Sequence, residues 1–239
     1  MRDMKLTIPE HDRLAPGLLA QQLKLHAALD SGEEQAGWKL GFGSPTAKTN
    51  LELSAPLTGY LLASARVESG SHVSVAGWTK PIAEAEVAVR MCRDVAADAS
   101  VDEVIAAIGA FLPAIELADA DLPFTDPVPI LAGDIFQRHY VLGAPVTQGW
   151  NDGPEALSGL VHVHEAQHSV SDTQELTGQV VDNLLHLALV ADAYGRGLRA
   201  DDIVLLGSVI PPVPLAAGDS FTFELSNQDI SSTVSVTVT

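Results

Sequence analysis

Period-two alternation dominates this chain. Residues 80–94 read as a strand with Ala85, Val87, Val89 and Met91 on one face and Glu84, Glu86, Ala88 and Arg90 on the other. The C-terminal stretch alternates as strictly, with Val234, Val236 and Val238 on one face. Shorter strands are predicted at 37–42, 114–117, 140–142, 160–164, 203–206 and 221–225. Helical spacing occurs in three places. Residues 18–29 carry it, with Gly32 as a stop. Ser100-Val-Asp-Glu103 is a capping box that opens a helix with Val101, Val104, Ile105, Ile108 and Leu112 on its apolar face, ended by Pro113. Residues 173–194 predict the longest helix, with Val181, Leu184, Leu185, Ala188 and Ala191 on one side and Gly195 after it. Turns rich in Gly and Ser punctuate 41–77. Many strands with a few helices between them predict an α+β domain rather than a doubly wound sheet.

The length of 239 residues, with 46% hydrophobic and 18% charged residues, suits one β-rich domain with a sizeable core. Residues 1–36 are read as a short N-terminal helical segment and 37–239 as one domain. The net charge of −18 is unevenly placed. Residues 1–50 hold six acids and six bases, so the rest of the chain carries the whole imbalance, and no lysine follows Lys80. Such a surface repels nucleic acid and anionic membranes. A small acidic substrate therefore needs a local positive centre, either a retained lysine or a bound cation. The single Cys92 excludes an intrachain disulfide and fits a reducing compartment. Residues 1–10 lack an apolar leader core, and no apolar run approaches membrane length, so a soluble, cytoplasmic protein is expected.

The acids contain one pattern with chemistry in it. Glu84 and Glu86, at i and i+2 on a strand, share a face roughly 6.6 Å apart along it. Glu116 interrupts the apolar run Pro113-Ala-Ile-Glu-Leu-Ala118, where an unpaired carboxylate is costly to bury. Three glutamates on neighbouring strands match what a hard divalent cation such as Mg²⁺ requires. Taken alone, the same residues also fit solvent-facing strand glutamates. Lys39, flanked by glycines in Gly37-Trp-Lys-Leu-Gly41, is suited to anchor a carboxylate, or to transfer protons if its pKa is depressed, or else is an exposed strand lysine.

His164-Glu-Ala-Gln-His168 is a literal H-E-x-x-H. Zinc proteases need that motif on a helix, with both histidines on one face. Here Leu160-Val-His-Val-His164 alternates with period two, so two strands joined by a turn at 165–167 are expected, and surface histidines with them. His186 is expected half-buried in the long helix. His139, next to a strand, is a weak acid–base candidate. Cys92 shares the Glu84 and Glu86 face if the strand stays regular, as a packed thiol.

Taken together, these segments resemble the 2-keto-4-pentenoate hydratase and 4-oxalocrotonate decarboxylase family, within the fumarylacetoacetate-hydrolase-like superfamily. Gly37-Trp-Lys-Leu-Gly-Phe-Gly-Ser-Pro45 resembles its G-x-K-x-G-x-x-x-P segment, and Pro56 with Gly59 its P-x-x-G turn. Pro81-Ile-Ala-Glu-Ala-Glu-Val-Ala88 resembles P-x-x-E-x-E-x-A, and Leu112-Pro-Ala-Ile-Glu116 resembles L-P-A-x-E. Tyr140-Val-Leu-Gly143, Gly197 to Gly207 and Gly218-Asp219 follow in order. The resemblance implies a β-rich mixed-sheet fold like the C-terminal domain of fumarylacetoacetate hydrolase, with a few flanking helices. It implies Mg²⁺ or Mn²⁺ on Glu84, Glu86 and Glu116 and places Lys39 in the active site; catalytic roles are expected for Lys39 and Glu84, and Lys39, Ser44, Asp134 and Ser208 are the candidate substrate contacts. The implied reaction is hydration of a 2-hydroxy-2,4-dienoate to a 4-hydroxy-2-oxo acid in aromatic catabolism, by a homo-oligomer with a small anionic substrate. The alternatives are an oxalocrotonate-type decarboxylase, a C–C hydrolase, or a degraded member serving as an accessory subunit.

The chain also departs from the pattern. Ile82 stands where the family often has a basic residue, and Ser64 where many members have Asp. Gly133-Asp-Ile-Phe136 replaces D-N-A-S, and residues 228–231 replace a Gly-Ser-Val turn. Asp134 either replaces a lost polar contact or is an ordinary loop aspartate. The metal set is thus expected intact and the substrate shell altered.

Overall fold

Strand β5 (Pro81–Met91) and strand β6 (Ile108–Asp119) pair antiparallel along almost their full length, and the molecule is arranged around them. Nearly every residue of both is buried, so apolar side chains must cover both faces. The computed structural model describes residues 11–151, 153–228 and 230–239. The reading of residues 1–10 lies outside them.

Helix α1 (His11–Asp30) leads into β1 (Gln35–Gly41), α2 (Pro45–Leu51) and β2 (Leu57–Leu62). The short strands β3 (Arg66–Val67) and β4 (Ser71–Val73) precede β5, and α3 (Val101–Ala107) links β5 to β6. Then come α4 (Pro127–Ala132), β7 (Gln137–Leu142), β8 (Leu157–Val163), β9 (Ala166–Val170) and α5 (Val180–Ala193). The chain closes with β10 (Ile203–Ser208), β11 (Val213–Pro214), β12 (Ser220–Asn227) and β13 (Ile230–Val238). One sheet has the order β2-β1-β10-β5-β6-β7-β3, with β11 also on β5. A second has the order β4-β13-β12-β8-β9. The inner faces of the two sheets share one apolar core in which Phe111, Phe221, Phe223, Val234, Val236 and Val238 are fully enclosed. This is the α+β architecture expected from the alternation, in the mixed-sheet form that the family resemblance implies. Among the described residues, no helix is long and apolar enough to cross a membrane.

The parallel pairing of β1 with β10 brings Lys39 beside the central strands. It depends on Gly37, whose φ is +153° and where a Cβ would lie 1.9 Å from the Ile203 carbonyl oxygen. No other residue fits that crossing. Helix α1 packs into the same core through Leu14, Leu18 and Leu25, and Arg13 caps the end of α2 by donating to Leu51 O at 2.9 Å.

Several elements differ from the sequence expectation. The capping box at Ser100 forms as predicted, but α3 stops at Ala107, and residues 108–112 belong to β6. Pairing with β5 overrides the helical spacing there. Pro113 lies within β6 rather than ending a helix. Its carbonyl accepts from Gly143 N at 2.9 Å, beyond the last residue of β7, so the missing N–H falls outside the ladder. Helix α5 begins only at Val180, because Gly178 takes φ +81° and the Gln174 side chain accepts from Val180 N; the longest described helix is therefore α1. Region 41–77 holds α2 and three strands as well as turns. A register shift between Arg90 and Met91 ends the alternation before Cys92, which is exposed and not packed beside Glu84 and Glu86. The H-E-x-x-H segment is the turn and second strand of the β8–β9 hairpin, as expected, but the turn falls at 164–165 rather than 165–167: His164 has φ 52° and leaves the strand, so it does not share a face with His162, and both are exposed.

Phe223 fills the space between the sheets and leaves Gly159 only room for hydrogen: a Cβ there would meet Phe223 at 2.8 Å. Phe223→Ala is expected to destabilise the protein by about 3–5 kcal/mol, read from the midpoint shift in urea unfolding.

Candidate metal centre

The antiparallel register sets Glu84 directly opposite Glu116 and Glu86 opposite Ala114. Glu84 and Glu86 face the same way, so all three carboxylates meet on one surface of the sheet. One oxygen from each lies within 4.8 Å of the others. Glu86 and Glu116 are buried at 0% and 1% exposure, whereas Glu84 is half-buried and forms the accessible side of the cluster. Lys39 reaches across from β1. Its ammonium donates to Glu116 Oε1 and, at 2.9 Å, to the backbone oxygen of Ile135.

The electrostatics of this cluster are unfavourable in the protein alone. Two ionised carboxylates 4.8 Å apart repel by roughly 3–4 kcal/mol at an effective dielectric constant of about 20. Burial pushes the Glu84 carboxyl up to about 7, reinforced by the Glu116 charge and opposed by Lys39. Burial also raises Glu86 well above the usual carboxylate range, with Glu116 and Glu84 adding to it. Burial works against the charged form of Lys39, but Glu116, Glu84 and Glu86 outweigh it and hold the amine above its ordinary value. Ionised, three carboxylates and one ammonium leave a formal charge of −2, which one divalent cation cancels.

The oxygens themselves fit such an ion. Glu86 Oε2 accepts from Gly207 N at 2.7 Å, and Glu86 Oε1 has no hydrogen-bond partner. Glu116 Oε2 is likewise buried and unpartnered. Orphaned buried carboxylate oxygens are rare because they are costly. Here they converge in an all-oxygen set of the kind hard divalent cations take.

The other sequence candidates fall around this centre in different ways. Ser208 pairs in register with Glu86 at the end of β10, its hydroxyl donating to Ala85 O at 3.4 Å. Ser44 caps α2 by accepting from Ala47 N, and no contact joins it to the carboxylates. Asp134 is buried, and its Oδ1 accepts from Gln21 Nε2 at 2.7 Å and Tyr60 N at 3.0 Å. Burial pushes its carboxyl up to about 7, opposed first by the Tyr60 amide. Gly59 lies between this aspartate and Lys39: a Cβ there would lie 2.8 Å from Lys39 Cγ and 2.9 Å from Asp134 Oδ1. His139 stacks on Trp78 with ring centroids 6.1 Å apart, and His186 is half-buried within 3.2 Å of Pro56 O.

Sequence reasoning missed two contributors. Gln21 is completely buried, and the Tyr194 hydroxyl donates to its Oε1. The available signal was a polar residue on the apolar stripe Leu14, Leu18, Gln21, Leu25. The Ile135 carbonyl was unreadable, because the chain direction at that point is set by three consecutive left-handed residues. Asp134, Ile135 and Phe136 have φ of 56°, 52° and 65°. Each left-handed L-residue costs roughly 1–2 kcal/mol.

Most of the chain is similar to known proteins. A 2-keto-4-pentenoate hydratase of Paraburkholderia phymatum is 30% identical over 209 residues, covering 84% of this chain and 78% of that protein. The chain belongs to the 2-keto-4-pentenoate hydratase family. A 4-oxalocrotonate decarboxylase of a Pseudomonas species is 25% identical over 213 residues, 87% of this chain and 81% of that protein. The fold matches that of 4-oxalocrotonate decarboxylase from Pseudomonas putida G7, solved with magnesium and adipate, at a TM-score of 0.83 and 19% identity, over 98% of this chain and 91% of that one. No protein-family model matches the chain.

The raised carboxyls give the metal-free protein a defined pH response. Between the ordinary carboxylate range and about pH 7, the native state keeps protons that the unfolded chain has released. Stability therefore falls as pH rises through this window. Chelator-treated protein is expected to melt at a higher temperature near pH 5 than near pH 8, and Mg²⁺ is expected to raise the melting temperature most near pH 8, both read by calorimetry.

Proposed function

We propose that this protein is a divalent-metal-dependent lyase that hydrates a 2-hydroxy-2,4-dienoate to a 4-hydroxy-2-oxo acid. The observation that carries this reading is the convergence of three carboxylates, two of them buried with unpartnered oxygens, with one lysine, in a chain of the hydratase family. Glu84, Glu86 and Glu116 would hold the ion, with Mg²⁺ as the expected one and Mn²⁺ as its substitute. When bound, the ion supplies a Lewis acid for the carboxylate and 2-oxygen of the substrate.

The remaining chemistry belongs to the side chains. Lys39 is the fixed positive group of the site and holds a proton at Nζ within reach of a bound acid. In the dienol the 2-hydroxyl loses its proton and C5 gains one, which leaves a 2-oxo-3-enoate electrophilic at C4. Water then adds, with its oxygen going to C4 and a proton to C3. Lys39 is assigned to the proton movements: its ammonium is held at two points, and a bound divalent ion would offset the glutamate charges that hold its amine up, leaving burial to favour release of the proton. Ser208, at the end of β10, is assigned to substrate contact on its proximity to Glu86. Asp134 faces inward at Oδ1 and is better suited to shaping the site than to touching the acid.

The relation to a decarboxylase supports a second reading, in which the same electron sink receives the electrons of a departing CO₂. Turnover separates the two. Absorbance of 2-hydroxypenta-2,4-dienoate is expected to decay in the presence of Mg²⁺, and Glu84→Ala is expected to abolish the decay. Full activity in that variant would remove Glu84 from the site. Oxalocrotonate turnover without hydration would favour the decarboxylase, and no turnover of either acid with metal bound would favour an accessory role.

A further inference from the structure

Lys39 is held by a backbone carbonyl whose direction the local sequence does not favour. Gly133, free to adopt any conformation, has φ −90°, while the next three residues are left-handed although none is glycine. Ile135 at its centre is β-branched, the residue class least suited to that region. The turn is nonetheless closed on every side. Asp134 N and Ile135 N donate to the end of α4, and Phe136 O accepts from Asp119 N. Asp134 Oδ1 is gripped by Gln21 of α1 and by the Tyr60 amide of β2. Gln21 Nε2 also donates to Thr58 O, and its Oε1 accepts from Tyr194 at the end of α5. Tyr194 in turn sets its ring edge-on against Trp38, the neighbour of Lys39, with centroids 5.6 Å apart. The Ile135 side chain fits only because Gly41 has no Cβ, which would lie 2.9 Å from it.

We propose that Gln21 and Tyr194 are positioning residues: through Asp134 they hold the left-handed turn that aims the Ile135 carbonyl at the Lys39 ammonium. An ammonium has three N–H donors. Glu116 takes one, the Ile135 carbonyl a second, and the third is left for substrate. A bond to Glu116 alone fixes one direction and weakens whenever that carboxylate turns toward a cation. The carbonyl cannot turn, because the turn is locked from α1, β2 and α5. The catalytic consequence rests on the role given to Lys39 above; the positional claim does not.

The test combines an NMR signal with kinetics. A buried ammonium held at two points exchanges slowly with water and gives a resolved ¹⁵N–lysine ε-ammonium signal, assigned by its loss in Lys39→Met. In Gln21→Met, which removes the amide and keeps the bulk, that signal is expected to shift or broaden. With it, kcat on 2-hydroxypenta-2,4-dienoate is expected to fall roughly ten-fold, while KM and Mg²⁺ affinity stay within about two-fold. Tyr194→Phe, which deletes one oxygen, is expected to act in the same direction with a smaller effect, and it carries the test if Gln21→Met does not fold. A Lys39 signal averaged with solvent in the wild-type protein, or one unmoved in both variants whatever happens to kcat, overturns the proposal. A moved signal with unchanged kcat supports the clamp and instead removes Lys39 from the proton movements.

Discussion

The structure depends on tolerating like charge inside the sheet. Three carboxylates on two paired strands sit where the chain has removed most of their water, and a single ammonium answers them. Such an arrangement is less stable than an apolar equivalent in a protein that has no further use for it. The surrounding features make it possible: Gly37 lets β1 cross close to β10, Gly59 leaves room for the lysine stem, and Gly207 donates to Glu86. The oxygens left without partners define what the cluster still lacks.

The 31 acids of the chain are of two kinds. Most are solvated and serve to keep the surface repulsive. Four gather near Lys39, namely the three glutamates and Asp134, all buried except the half-buried Glu84, and they do different work. The glutamates are oriented outward from the strand pair toward a common point. Asp134 is tied to an amide and a glutamine and acts on the backbone around it. The positive centre that an acidic substrate requires is thus divided between Lys39 and an ion, and neither suffices alone against the charge around them.

Much of this was legible in the sequence, for identifiable reasons. Alternation has a period of two in any context, so the faces of β5 and the shared side of Glu84 and Glu86 followed directly from it. Glu116 was conspicuous because an acid in an apolar strand demands a partner. The hairpin reading of His164 to His168 followed from the same period. What stayed hidden depended on contacts distant in sequence. The helical spacing of 101–112 was real, yet its second half was taken by pairing with β5. Pro113 was tolerated because β7 ends beside it. Gln21 meets Asp134 across 113 positions, and no local pattern encodes that contact.

The most direct test of the account is metal titration of chelator-treated protein with Mn²⁺, followed by calorimetry. The account predicts one site per chain, with affinity weakened by at least about ten-fold in Glu116→Gln, which keeps the shape of the side chain and removes its charge. Unchanged affinity and stoichiometry in that variant would contradict it, because the buried carboxylates would then need another reason to converge.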